Sequence, residues 1–225
     1  MSARHSLRQA LFQLRQLLPE AEDTPWLLLT RQTVQLNPAA ALRVDVTTFT
    51  QLLAACKAHA HTDLATCAAC LDRLRQAVDL YQGDFLTGFT VADSAPFEEW
   101  RRILQEQLHI QLLDALSQLA SAAERTGDAE GALQAAQRHL ALEPWWEAAH
   151  RQVMRLLAQR GLRAAALAQY QRCRQVLAEE LQVEPDAETQ ALYVQIERGD
   201  FDRAKRRQGE QAPTAQPPTL SPSPA

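Results

Sequence analysis

The residues best equipped for chemistry lie between positions 56 and 70. Cys56, His59, His61, Cys67 and Cys70 follow the pattern C-x2-H-x-H-x5-C-x2-C. Cys67 and Cys70 are three residues apart, one turn of a helix, so their thiols can clasp one side of a tetrahedral zinc ion. His59 and His61, on the loop before them, can close the other side. A second reading stands beside this one. Both cysteines fall on an apolar face with Leu71 and Leu74, where small thiols pack as hydrophobes, and the histidines decorate a polar loop. The spacing is shorter than in common zinc fingers, and the two readings stay open at this stage.

A second group sits at the N-terminus. Leu7, Leu11, Leu14 and Leu18 fall within roughly 60° of one another at about 100° per residue, which predicts an amphipathic helix over 4–18, ended by Pro19. Arg4, Arg8 and Arg15 gather on one flank of the stripe, and residues 1–18 hold no acidic side chain. His5, Gln9 and Gln13 lie where base edges would be read. Arginines fix a protein on phosphates, and exposed polar side chains discriminate bases. The competing reading is an ordinary solvated face beside a leucine core. Catalytic signatures are missing: there is no Gly-x4-Gly-Lys, HExxH, G-x-S-x-G or GxGxxG, so the chain is not expected to be an enzyme.

The elements that must position these residues are mostly helical. Hydrophobic residues make up 46% of the 225, glycine is scarce at 7, and Ala, Leu, Gln, Glu and Arg dominate long stretches. Segments 26–30 and 33–37 read as a short strand pair joined by Arg31-Gln32. Helices are expected over 46–58, over 66–82 with a stop at Gly83, and from Phe97 to Arg125, with 83–96 as a loop. Gly127 and Gly161 are 34 residues apart, and Ala132/Ala166, Leu133/Leu167, Gln137/Gln171 and Arg138/Arg172 align after them. That period is the tetratricopeptide spacing, in which helix pairs stack. Pro144 is placed at the next helix start. Of Trp145 and Trp146, one is expected in the core and the other half exposed. Pro185 precedes a last helix, 186–198.

After residue 198 the chain turns charged and then proline-rich, the composition of a linker or tail. No apolar run reaches the ~20 residues of a membrane span. The four cysteines and the lack of a signal-peptide pattern predict reduced thiols in a cytoplasm.

Three stretches carry a family likeness: Leu80-Tyr81-Gln82-Gly83-Asp84-Phe85-Leu86, then Trp100-Arg101-Arg102, and finally 143–196. Over 45–196 the sequence resembles the bacterial transcriptional activator domain family. The resemblance implies a mainly α fold: a tetratricopeptide-like domain over 45–198, preceded over 1–44 by a recognition-type helix and a β-hairpin wing (26–37) from a partial winged helix. Residues 199–225 are then a charged and proline-rich tail. It also implies promoter DNA as a partner once the winged helix is completed, with Arg4, His5, Arg8, Gln9, Gln13, Arg15 and Arg31 on the DNA side. RNA polymerase or another regulatory protein, and a homodimer, are the implied protein partners. No cofactor is implied, zinc at His59, His61, Cys67 and Cys70 being the one candidate. The sequence departs from the family pattern at Met1, which stands directly before the recognition-type helix, and at Gln182, where the family tends to have glycine. An adaptor that works through its repeat surface alone is the alternative function.

Overall fold

The computed structural model describes residues 3–17, 24–40 and 42–201. Expectations placed on Leu18, Pro19, the side chain of Arg4 and the stretch from 202 onward lie outside the described residues.

The described chain falls into two compact units, divided after Thr48. In the first, α1 (Ala3–Leu17) forms from a segment dominated by Ala, Leu, Arg and Gln, strong helix formers, without glycine or proline. A hairpin follows, with β1 (Leu27–Leu29) antiparallel to β2 (Val34–Leu36) and Leu27 opposite Leu36. Its turn holds no glycine. The Thr30 hydroxyl does the work instead, accepting from the N–H groups of Gln32 at 3.2 Å and Thr33 at 2.9 Å. Asn37 ties the open end by donating from its amide to the Pro25 carbonyl at 2.8 Å.

The second unit is helical. The helix α2 (Asp45–Ala58) crosses into it, followed by α3 (Ala68–Leu80), α4 (Ala95–Thr126), α5 (Ala129–Leu142), α6 (Glu147–Gln159), α7 (Arg163–Val176) and α8 (Ala187–Arg198). Neighbours in sequence pack as neighbours in space from α3 to α8, and α6 also meets α8. This is the mainly α, helical-repeat architecture that the 34-residue period predicts. Residues 129 and 163 begin α5 and α7, and residues 142 and 176 end them, so the two helices repeat at that period.

The physical basis is visible at both copies. Gly127 and Gly161 precede the two helices with φ of +78° and +79°, a left-handed conformation that suits glycine. Ala132 and Ala166 are fully buried, where larger side chains would hold the helices apart. Around Ala166 gather Met154, Ala158, Leu192 and Ile196; around Ala136 gather Ala120 and Val153. Each large apolar side chain buried this way contributes about 1.5–3 kcal/mol.

Several boundaries differ from the sequence expectation. The helix expected over 66–82 is shorter: a 3-10 turn at Leu64–Thr66 precedes it, Cys67 is its N-cap and Tyr81 its C-cap, so Gly83 does not end it. The long helix starts at Ala95, because Pro96 fits the first turn, where its missing N–H costs nothing. Pro144 lies ahead of α6 rather than in it, and its carbonyl accepts from His150 Nε2 at 2.8 Å. Neither Trp145 nor Trp146 is a core residue. They are 37% and 48% exposed, and Trp146 stacks on the His139 ring instead.

Candidate metal centre

The geometry of residues 56–70 begins with two caps. As α2 ends at Ala58, the His59 N–H donates to the Cys56 carbonyl at 3.3 Å. Asp63 then caps the 3-10 turn, its carboxylate accepting from the Ala65 N–H at 3.0 Å. The same carboxylate takes a two-pronged ion pair from Arg125 at the end of α4, one prong at 2.7 Å. The Ala65 N–H first, and Arg125 after it, hold the Asp63 carboxyl below its usual range. The loop from α2 to α3 is therefore pinned in its middle.

That loop lays His59 and His61 over Cys67 and Cys70. His59 Nδ1 lies 3.2 Å from Cys70 Sγ and 3.4 Å from Cys67 Sγ. His61 Nδ1 lies 3.8 Å from Cys70 Sγ, and the two imidazole rings are 5.7 Å apart. All four candidate donor atoms fall within 4.8 Å of one another. Cys70 is buried, Cys67 half-buried, and both histidines are exposed. Two nitrogens and two sulfurs gathered this closely can hold a metal ion.

Cys70 is buried in α3 alongside Leu74, Ala77 and Val78. Cys67 is half-buried. That residue caps α3 with no side-chain hydrogen bond to the helix, and its thiol meets His59. Cys56 stands apart from the donor set: its thiol donates to the Cys70 carbonyl at 3.3 Å, and burial pushes it up to about 11. Two neighbours escaped the sequence reading. Arg73 Nη1 reaches within 3.8 Å of Cys70 Sγ, one turn further along α3, and Arg125 arrives from 62 residues away. The first was readable from i,i+3 spacing; the second needed the fold.

The N-terminal candidates sit on α1 and on the hairpin turn, in the other unit. His5, Arg8, Gln9, Gln13 and Arg15 are all exposed along α1, and Arg31 is exposed between the strands. The apolar stripe of α1 is largely uncovered as well, with Leu7 at 54% and Leu17 at 78% exposure and Phe12 beside them. Leu11 is half-buried.

Two stretches that carry the family likeness meet within the helical unit. The Phe85 ring approaches Trp100 edge-on at 5.6 Å, and Phe97 lies 5.6 Å from the same indole. Tyr81 donates its hydroxyl to Asp84 at 3.2 Å, closing the turn after α3.

Comparison with known proteins agrees with this architecture. The family model described as bacterial transcriptional activator domain matches residues 44–197. Among solved structures the chain is similar to Mycobacterium tuberculosis EmbR, determined in complex with a low affinity phosphopeptide. The two share 20% identity with a TM-score of 0.56, over 92% of this chain and 54% of that one. This chain thus spans about half the length of EmbR. No curated protein matches the sequence.

Proposed function

Because the chain belongs to the bacterial transcriptional activator domain family, we propose that it works as a DNA-binding transcription regulator of activator type. The family match across the helical unit is the observation that carries this reading. On it, residues 1–44 are the back part of a winged helix, 45–198 the effector domain and 199–225 a linker or tail. The protein acts in the cytoplasm; no described helix is long and apolar enough to cross a membrane. It carries out no catalysis of its own.

In this reading α1 enters the major groove. Arg4, Arg8 and Arg15 meet phosphates, His5, Gln9 and Gln13 face base edges, and Arg31 in the hairpin turn touches the flanking backbone, as a wing does. The exposure of the described members of this set suits that role. The helical unit supplies the surface for RNA polymerase, another regulatory protein or a second copy of the chain. Stacked helix pairs are suited to this, since they offer an extended face for partners.

The test is selection of duplexes from a randomised pool by the chain and by a form extended at its N-terminus with the front half of a family winged helix. Binding of the selected duplex is then followed by fluorescence anisotropy across salt concentrations. Affinity that falls steeply with salt, and whose slope drops by about 1 for each of Arg8→Ala and Arg15→Ala, is expected. If neither form selects any sequence, the adaptor reading, in which only the repeat surface works, takes its place.

A further inference from the structure

We propose that His59, His61, Cys67 and Cys70 form a four-coordinate zinc site that fastens the connection between α2 and α3. The inference concerns the helical unit alone and does not depend on DNA binding by α1.

The distances are those of a coordination shell. Zinc bonds of about 2.0–2.1 Å to nitrogen and about 2.3 Å to sulfur give a tetrahedron whose edges run from about 3.3 to 3.8 Å. The nitrogen–sulfur separations of 3.2, 3.4 and 3.8 Å lie close to the nitrogen–sulfur edge of such a tetrahedron, about 3.5 Å, and all four donors lie within 4.8 Å of one another, so small adjustments would seat an ion. Hydrogen bonding alone does not account for the arrangement. An imidazole Nδ1 has one lone pair or one proton in the ring plane, yet His59 Nδ1 faces two sulfurs at once. Convergence of four donors on one point is what a shared ion requires.

The surroundings suit thiolate ligands. Cys67 caps the N-terminal end of α3, where the unpaired N–H groups present positive potential. The Arg73 guanidinium lies 3.8 Å from Cys70 Sγ. The Cys70 N–H donates to the Cys67 carbonyl at 3.1 Å, which fixes the two cysteines in the same turn. A mixed S2N2 tetrahedron of four protein ligands is a donor set that suits zinc. On binding, each thiol releases its proton to solvent, two in all, and the sulfurs and the two Nδ1 atoms donate lone pairs. Zinc stays divalent and the completed site is neutral.

The site joins the segment just after α2 to the first turn of α3, and Asp63 between them is anchored to Arg125 of α4. An ion here would brace the α2–α3 connection, which the Asp63–Arg125 pair separately ties to α4.

The full chain, reduced and stripped with a chelator, is titrated with cobalt(II) and then zinc(II). The expected result is one equivalent of cobalt with the intense visible bands of a tetrahedral site and a near-ultraviolet thiolate charge-transfer band. Zinc should displace the cobalt with an apparent Kd tighter than about 1 µM. Zinc should also raise the Tm. Cys67→Ser should abolish the charge-transfer signature of two sulfurs, and His61→Ala, at an exposed position, should weaken zinc at least tenfold with the far-ultraviolet circular dichroism unchanged. Cys56→Ser should leave the stoichiometry at one. Pale octahedral cobalt spectra, less than half an equivalent bound, or a His61→Ala variant that binds as the parent does would overturn the proposal.

Discussion

A single nitrogen of Arg138, Nη2, donates to the main-chain carbonyl of Tyr81 at 2.8 Å and to that of Val78 at 2.8 Å. Tyr81 is the C-cap of α3 and Arg138 belongs to α5, so one guanidinium ties down a helix end 57 residues away, beside the Tyr81 N–H that the Val78 carbonyl also accepts. Charge-assisted hydrogen bonds of this kind contribute more than neutral ones. Arg138→Ala should therefore cost about 1.5–3 kcal/mol, read as a fall in the urea midpoint at constant m. Arg138→Lys, which keeps one cationic donor, should recover part of that loss. An alanine variant as stable as the parent would show that solvent serves those carbonyls equally well.

Gln182 follows the π-helical turn at Leu177–Leu181 with φ of +57° and ψ of +36°, a left-handed conformation at a helix C-terminus. For a residue with a Cβ this costs roughly 1–2 kcal/mol, part of which glycine returns through its freer unfolded chain. Gln182→Gly should raise stability by about 1 kcal/mol and Tm by about 2–4 °C. Calorimetry checks the direction; a lower Tm would mean that the Gln182 side chain carries contacts worth more than the strain.

His150 is buried between Pro144 and Gln169, with Nε2 donating to the Pro144 carbonyl and Nδ1 accepting from the Gln169 amide at 2.8 Å. Burial holds its imidazole below the usual 6.5, with Arg172 acting in the same direction and the Pro144 carbonyl and Glu147 against it. His139, also buried, is held down in the same way. The folded state thus favours the neutral rings, while the unfolded chain takes up protons near 6.5. Stability from these groups is complete above that pH and is lost as pH falls from about 6.5 through the lower folded-state values, with a slope of at most about 1.4 kcal/mol per pH unit for each ring. Denaturation series from about one pH unit above the unfolded value to about 1.5 units below it should show this fall. His150→Gln should flatten it. An unchanged slope in that variant would remove His150 from the account.

The repeat was legible in the sequence because its requirements are local. Gly127 and Gly161 are needed for a positive φ, and Ala132 and Ala166 for close helix approach, and both leave a mark at fixed spacing. The start of α3 was not legible in the same way. Periodicity carried the helix back through Cys67, whereas the Asp63 cap and the 3-10 turn it stabilises set the boundary, and so turned Cys67 toward the histidines. The tryptophans misled because size and aromaticity predict a core position, while the fold stacks Trp146 on His139 at its surface. Arg138 gave no signal at all, since its partners are main-chain carbonyls in a distant helix. In the Cys/His cluster both the donor residues and their two-sided approach were readable from spacing, while the Asp63–Arg125 pair that pins the loop between them was not.

The proposed function has the protein regulating transcription by occupying promoters. Chromatin immunoprecipitation of the epitope-tagged protein in its own host, followed by sequencing, measures that occupancy directly. The expected result is enrichment at a small set of promoter regions sharing one sequence motif, reduced to background by the double substitution Arg8→Ala/Arg15→Ala. Recovery of no promoter above an untagged control, with the protein present at normal levels, would contradict it.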